Sequence, residues 1–167
     1  VGANQASASL LVEPVTGQHV DALIELFERN SVPTVAASFD PFPLTAGEAR
    51  RIALEPRKDA YFVASCAGRL LGFSMLRGFD EGFAVPSFGV FVDHEAQGRG
   101  IGRALTTWTI DAARRRGCPA VRLSVYSTNS VARGLYASLG FVESERQAMD
   151  RVAGPEEKIV MYLSLGG

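Results

Sequence analysis

Three glycines at alternate positions, Gly98, Gly100 and Gly102, stand between a short apolar run and a helical repeat. The run, Phe88–Val92, is bounded by Pro86 and Asp93 and reads as a buried strand. Ile101, Leu105, Trp108 and Ala112 follow with the spacing of one apolar helix face. The order is therefore strand, glycine-rich turn, helix. Glycine has no Cβ, so the turn can tighten and present its backbone N–H groups. A helix that starts there aims unpaired N–H groups and the positive end of its dipole at the turn. That is a site for a phosphate or pyrophosphate, with Arg99 and Arg103 adding positive charge. A mere connector needs about one residue at positive φ, and each glycine costs roughly 0.5–1 kcal/mol relative to alanine. A ligand explains three glycines better than a bare turn does.

Two familiar phosphate motifs do not fit. The dinucleotide fingerprint would need a third glycine where Arg103 stands, and the nucleotide P-loop needs a Gly-Lys pair that the stretch lacks. Gln97-Gly98-Arg99-Gly100-Ile101-Gly102 instead resembles the [QR]-x-x-G-x-[GA] signature of the GNAT superfamily of N-acetyltransferases. Downstream, Asn129, Ala132, Leu135, Tyr136, Gly140 and Phe141 match that family's N-x-x-A-x-x-L-Y-x-x-x-G-F stretch. The resemblance is strongest over Ser87–Val142 and extends plausibly back to Leu10.

The resemblance implies a single α/β (α+β) domain, with a mixed, mostly antiparallel sheet, splayed central strands and flanking helices. Acetyl-CoA would be the co-substrate, with no metal. Its pyrophosphate would rest on Gln97, Gly98, Arg99, Gly100, Ile101, Gly102 and Arg103. Its pantetheine arm would run along Val90, Phe91 and Val92 like an added strand. Asn129 would hold the thioester end, although it also reads as a plain helix N-cap. Tyr136 would be the general acid. A phenol with pKa near ~10 can donate to a departing thiolate and stay neutral at pH 7. Spacing alone would favour a core residue of an amphipathic helix; the surrounding motif reverses that preference.

No residue is assigned as the general base; the alternatives are Glu81, Asp80, a water chain, or an acceptor amine of low pKa that needs no strong base. An alkylammonium with pKa ~10.4 must lose a proton before it attacks a thioester. Ser87 and Ser124 stand where many family members carry glutamates. Two irregular stretches are left for the acceptor. Phe39 and Phe42 lie in the proline-rich segment 31–44, and Asp80 and Glu81 lie in the connection before the central strand. Aromatic rings beside carboxylates suit a small acceptor with an amine on an apolar or ring-shaped body, and both stretches read equally well as ordinary surface loops. The expected reaction is acetyl transfer to a primary amine of a small molecule or peptide. The alternatives are another acyl group, or a non-catalytic CoA-binding module.

The rest of the chain frames this core. Residues 8–167 are expected to form the domain, and residues 1–7 a disordered segment. Strands are expected at Leu10–Val15, Ala60–Ala67, Leu70–Leu76, Ala120–Val125, Phe141–Arg146 and Lys158–Leu165. Helices are expected from Thr16 to Asn30, from Thr45 to Leu54 with a Thr45/Glu48 capping box, and from Asn129, with Val131, Leu135 and Leu139 buried. Prolines 33, 41 and 43 argue against regular helix between them. Gly134, inside the last helix, suggests a close approach to its backbone. A net charge of −1 offers no basic field for nucleic acid or a membrane surface. Cys66 and Cys118 lack metal-like spacing, His19 and His94 are isolated, and no signal peptide is visible. A cytoplasmic protein is expected; the sequence is silent on oligomeric state, although the resemblance implies that a homodimer is possible.

Overall fold

The computed structural model describes residues 9–166. The segment expected to be disordered, residues 1–7, lies outside the described residues. The strands are β1 (Leu11–Pro14), β2 (Ala60–Cys66), β3 (Arg69–Arg77), β4 (Ser87–Val92), β5 (Ala120–Tyr126), β6 (Val142–Arg151) and β7 (Gly154–Ser164). The helices are α1 (Val20–Arg29), α2 (Pro33–Ala36), α3 (Ala46–Leu54), α4 (Ile101–Arg115) and α5 (Ser130–Ser138). The strands form one sheet in the order β1-β2-β3-β4-β5-β7-β6. Every pairing is antiparallel except β4 with β5.

The period-2 pattern of the central strands builds a core on each face of the sheet. Phe73, Met75 and Phe91 point to one face and pack with α1, α2 and α3 through Leu23, Phe27, Val35 and Ile52. Leu76, Phe88, Leu123 and Val125 point to the other, where Leu105, Ile110 and Tyr136 of α4 and α5 meet them. Gly72 lets α4 come close. A Cβ there would stand 2.6 Å from Leu105 Cδ1.

Helix α4 lies on the sheet in a different rotation from the one its apolar residues predict. Thr106 and Thr109 are fully buried, while Trp108 is 37% exposed. Each threonine hydroxyl donates to a carbonyl one turn back, Gly102 O at 2.6 Å and Leu105 O at 2.7 Å. The Thr109 hydroxyl also meets Ser74 Oγ at 2.7 Å. These polar groups are satisfied inside the core, so burying them costs little.

Other local expectations shift for similar reasons. Val131 is 85% exposed, and Tyr136 takes the buried position on α5. A short helix does form at Pro33, because proline at the first helical position loses no needed donor. Thr45 caps α3 by accepting from Glu48 N–H at 3.2 Å. The box does not close, since the Glu48 carboxylate turns to Arg51 instead. No helix among the described residues is long and apolar enough to cross a membrane.

Candidate active site

The site follows from one feature of the sheet. Strands β4 and β5 pair at a single position, Ser87 with Arg122. Beyond it they diverge, and a cleft of about 870 Å³ opens between Val90–Val92 on one side and Ser124–Val125 on the other. It continues past Gln97, Gly98 and Gly100 to the start of α4, and its far wall is α5 with Asn129, Ala132 and Tyr136.

The glycine-rich turn is shaped for an anion. Gly98 and Gly100 both adopt positive φ, 77° and 79°. Gly100 is the N-cap of α4, and a left-handed residue there folds the loop back over the helix start. The first helical bond runs from Ala104 N–H to Gly100 O. The N–H groups of Ile101, Gly102 and Arg103 therefore have no partner within the helix and point out of its end. Arg103 reaches across to α5, donating to Ser138 Oγ at 3.1 Å. Arg99 is exposed beside the turn but does not line the cleft.

A buried ion pair fixes where β4 ends. Burial pushes the Asp93 carboxyl up, but the Glu95 N–H and the Arg29 guanidinium, 2.8 Å away, outweigh it and hold the group below the usual carboxylate range. His94 lines the cleft. Its backbone N–H donates to Asn30 Oδ1 at 2.9 Å.

Tyr136 lies on the cleft wall, with its ring edge-on to Phe88 and tilted against Phe141. Burial pushes its hydroxyl up to about 12. Asn129 does cap α5, accepting from Ala132 N–H at 3.2 Å, and its residue also borders the cleft. A Cβ at Gly134 would meet no described atom within 4 Å outside its own helix, so no other element makes the expected close approach. The bare Gly134 Cα faces the cleft.

The acceptor-side expectations separate. Phe39 is buried, its ring 5.0 Å from Phe91 and 5.5 Å from Phe42, so both phenylalanines are core anchors under the segment. Asp80 does not reach the cleft. Its carboxylate accepts from Lys58 N–H at 2.7 Å and Asp59 N–H at 3.1 Å, which ties two loops together at the opposite end of β4. Glu81 shares that turn, its N–H donating to Gly78 O. The cleft is instead bordered by Thr34, Val35 and Ser38 from the same segment as Phe39.

Sequence reasoning missed the contacts that hold this segment over the sheet. The Tyr126 hydroxyl donates to Asp40, which also pairs with Lys158 at 3.6 Å. Arg151 donates to Ala37 O at 2.9 Å, lies 3.8 Å over the Tyr126 ring, and pairs with Glu156 at 3.0 Å. Tyr126 falls two residues past Ser124 on the strand, so period-2 counting puts both on one face. That signal was available in the sequence.

The family model for the acetyltransferase (GNAT) family matches residues 21–141. The chain belongs to the GNAT family. Acetyl-CoA is the acyl donor of that family. Mycothiol acetyltransferase of Thermobifida fusca is 33% identical over 94% of this chain. The chain spans about half of that relative, 55% of its length. The [ribosomal protein bS18]-alanine N-acetyltransferase of Escherichia coli is 31% identical over 66% of this chain and 82% of its own length. Among solved structures, a GCN5-related N-acetyltransferase from Kribbella flavida is 29% identical, with a TM-score of 0.77 over 93% of this chain and 98% of its own. A Salmonella typhimurium acetyltransferase solved with acetyl-CoA shares the fold, at a TM-score of 0.75 over 94% of each chain and 23% identity. Among the described residues, no group of His, Cys, Asp or Glu side chains is arranged to hold a metal.

Proposed function

We propose that this chain transfers an acetyl group from acetyl-CoA to a primary amine by direct attack. The observation that carries the reading is the single β4–β5 rung, which opens a cleft running from the N-terminus of α4 to Tyr136. Acetyl-CoA supplies an activated thioester. The N–H groups at Gly98–Arg103 hold its pyrophosphate, with Arg99 and Arg103 adding charge. The unpaired edge of Val90–Val92 aligns the pantetheine arm, and Asn129 steadies its far end. The amine nitrogen bonds to the acetyl carbon as the C–S bond breaks. Tyr136 gives its proton to the departing sulfur and regains one from solvent. A hydroxyl with pKa about 12 remains protonated at neutral pH and is ready to donate.

The amine must arrive deprotonated. Among the described residues no aspartate or glutamate lines the cleft, His94 does, and Ser124 is exposed on its wall. In this reading the proton passes to water in the open cleft. This arrangement suits an acceptor that has an appreciable neutral fraction. The acceptor enters over Ser124, between β5 and the segment carrying Thr34 and Ser38. The relatives differ in acceptor, one named for mycothiol and one for an alanine of ribosomal protein bS18. The test is release of free CoA thiol from acetyl-CoA with a panel of primary amines. Amine-dependent release is expected. Calorimetric binding of acetyl-CoA with no amine-dependent release would replace this reading with a CoA-binding module.

A further inference from the structure

Three arginines among the described residues, Arg50, Arg99 and Arg122, have no hydrogen-bond, ion-pair or aromatic partner. Arg50 and Arg99 are exposed, and water can solvate them. Arg122 is half-buried in the middle of the sheet. A cation withdrawn from water without a partner is costly, and such groups are ordinarily paired. Arg99 has an obvious anion to meet in the pyrophosphate. Arg122 has none among the described residues.

The pleat fixes where Arg122 lies. Val121, Leu123 and Val125 enter the core beneath α4 and α5. Arg122, Ser124 and Tyr126 alternate with them and share the opposite face. Ser124 lines the cleft, and Tyr126 reaches the segment above it through Asp40. At about 3.3 Å per residue, Arg122 sits roughly 7 Å along the strand from Ser124. Its neighbours across the sheet are Ser87 on β4 and Tyr162 on β7, neither of them acidic. Arg77, beyond Ser87 in the same row, already lies over the Phe42 ring at 5.5 Å.

The other charges on this face cancel locally. Lys158 pairs with Asp40, and Arg151 with Glu156. Glu145 is two strands farther out, in register with Val160 on the edge strand, where it accepts from Gln147. Arg77 and Arg122 keep a positive charge that no carboxylate offsets, and of the two only Arg122 has no partner at all.

We infer that Arg122 is a specificity-determining residue that holds an anionic group of the acceptor, so that the preferred substrate is a small amine bearing a carboxylate or phosphate a few bonds from its nitrogen. This rests on the acetyltransferase reading. The guanidinium fork matches either anion through two parallel N–H donors. Holding that end fixes the distance from anion to amine, which places the nitrogen over Ser124.

The experiment uses matched pairs of amines. Glycine, alanine and glutamate are each compared with their carboxamides, and phosphoethanolamine with ethanolamine. Wild-type protein is expected to acetylate at least one anionic member with kcat/KM tenfold or more above its neutral partner. The amino acids and phosphoethanolamine separate the two anion classes. Arg122→Gln should raise KM for the preferred anionic acceptor roughly 30-fold and leave its neutral partner and calorimetric acetyl-CoA affinity unchanged. Arg122→Lys should recover part of the loss. A panel in which no anionic amine outperforms its neutral partner overturns the inference. So does an Arg122→Gln variant that affects both partners equally, with thermal melting confirming that it folds. If acetyl-CoA itself fails to bind the wild type, the acetyltransferase reading falls and takes this inference with it. Binding without anionic preference removes this inference alone.

Discussion

Ser87 faces Arg122 across the one rung that joins β4 to β5. Every other neighbouring pair of strands is held by at least four register positions. The sheet is thus nearly two sheets, β1–β4 and β5–β7–β6, hinged at its middle. The open side of the hinge exposes the backbone of Val90–Val92, which in a continuous sheet would be spent on β5. That unspent edge can bind an extended ligand arm by strand addition.

Gly100 supplies the first test. Its φ of 79° is a conformation that valine adopts only with strain. Gly100→Val should lower acetyl-CoA affinity tenfold or more, because the branched side chain occupies the anion's approach to the helix N-terminus. The strain should cost about 1–2 kcal/mol, a fall of roughly 2–8 °C in Tm. Calorimetry and thermal melting check the two effects separately. Unchanged affinity would move the pyrophosphate elsewhere.

Tyr136→Phe should lower kcat by roughly 10²–10⁴-fold with little change in KM for acetyl-CoA. The pH profile sharpens the test. With the hydroxyl pushed up to about 12, the acid stays protonated, and kcat should show no alkaline fall through pH 10. On the acid side, the rate should fall as the amine protonates. The raised pKa also affects stability. The folded state holds this proton more tightly than the unfolded chain, so the contribution is full below the ordinary tyrosine value of 10.0 and is lost as pH rises toward about 12. Wild-type turnover in Tyr136→Phe would reduce the residue to packing.

The glycine-rich turn and the strand before it were legible because their physics is local. Positive φ at Gly98 and Gly100 and the start of α4 follow from residues adjacent in sequence. The face of α4 was misjudged because hydrophobicity ranks Trp108 above Thr109, whereas a threonine that bonds its own helix and Ser74 is an acceptable core residue. Val131 was misplaced for the converse reason. Its apolar side chain sits on the first turn of α5, where no other element packs over it. Asp80 looked like a ligand for an ammonium until the fold brought two unpaired N–H groups to it from a loop over twenty residues away. Tyr126 and Arg151 carried no motif. Their role depends on a hairpin reaching a segment from the other end of the chain.

The Asp80 assignment has its own test. The Lys58 and Asp59 N–H groups hold its carboxyl below the usual carboxylate range. A carboxylate with a lowered folded pKa contributes stability that is full above its ordinary value of 3.8 and is lost as pH falls through the lowered one. Asp80→Asn should therefore melt lower than wild type at pH 7, with the gap closing in strong acid. Acceptor KM and acetyl-CoA affinity should stay as in wild type. A selective rise in acceptor KM would restore Asp80 to the site.

Arg151→Ala removes the donor to Ala37 O and the cation over Tyr126. The segment bearing Thr34 and Ser38 should loosen over the cleft. Acceptor KM is expected to rise roughly 3- to 10-fold, about 0.7–1.4 kcal/mol, with acetyl-CoA affinity unchanged. Tyr126→Phe should give a smaller effect in the same direction, because Lys158 still reaches Asp40. Equal losses for acceptor and acetyl-CoA would mean that the contacts support the whole sheet.

The bond from Arg151 to Ala37 closes a loop of 114 residues, and the bond from Tyr126 to Asp40 one of 86. Contacts so distant in sequence cannot form until both ends exist and the intervening chain has compacted. During synthesis the glycine-rich turn and Tyr136 leave the ribosome before Arg151 does. A nascent chain can thus form the Val90–Val92 edge and the glycine-rich turn while β5, whose main partner is β7, and the segment over the cleft are still unsecured.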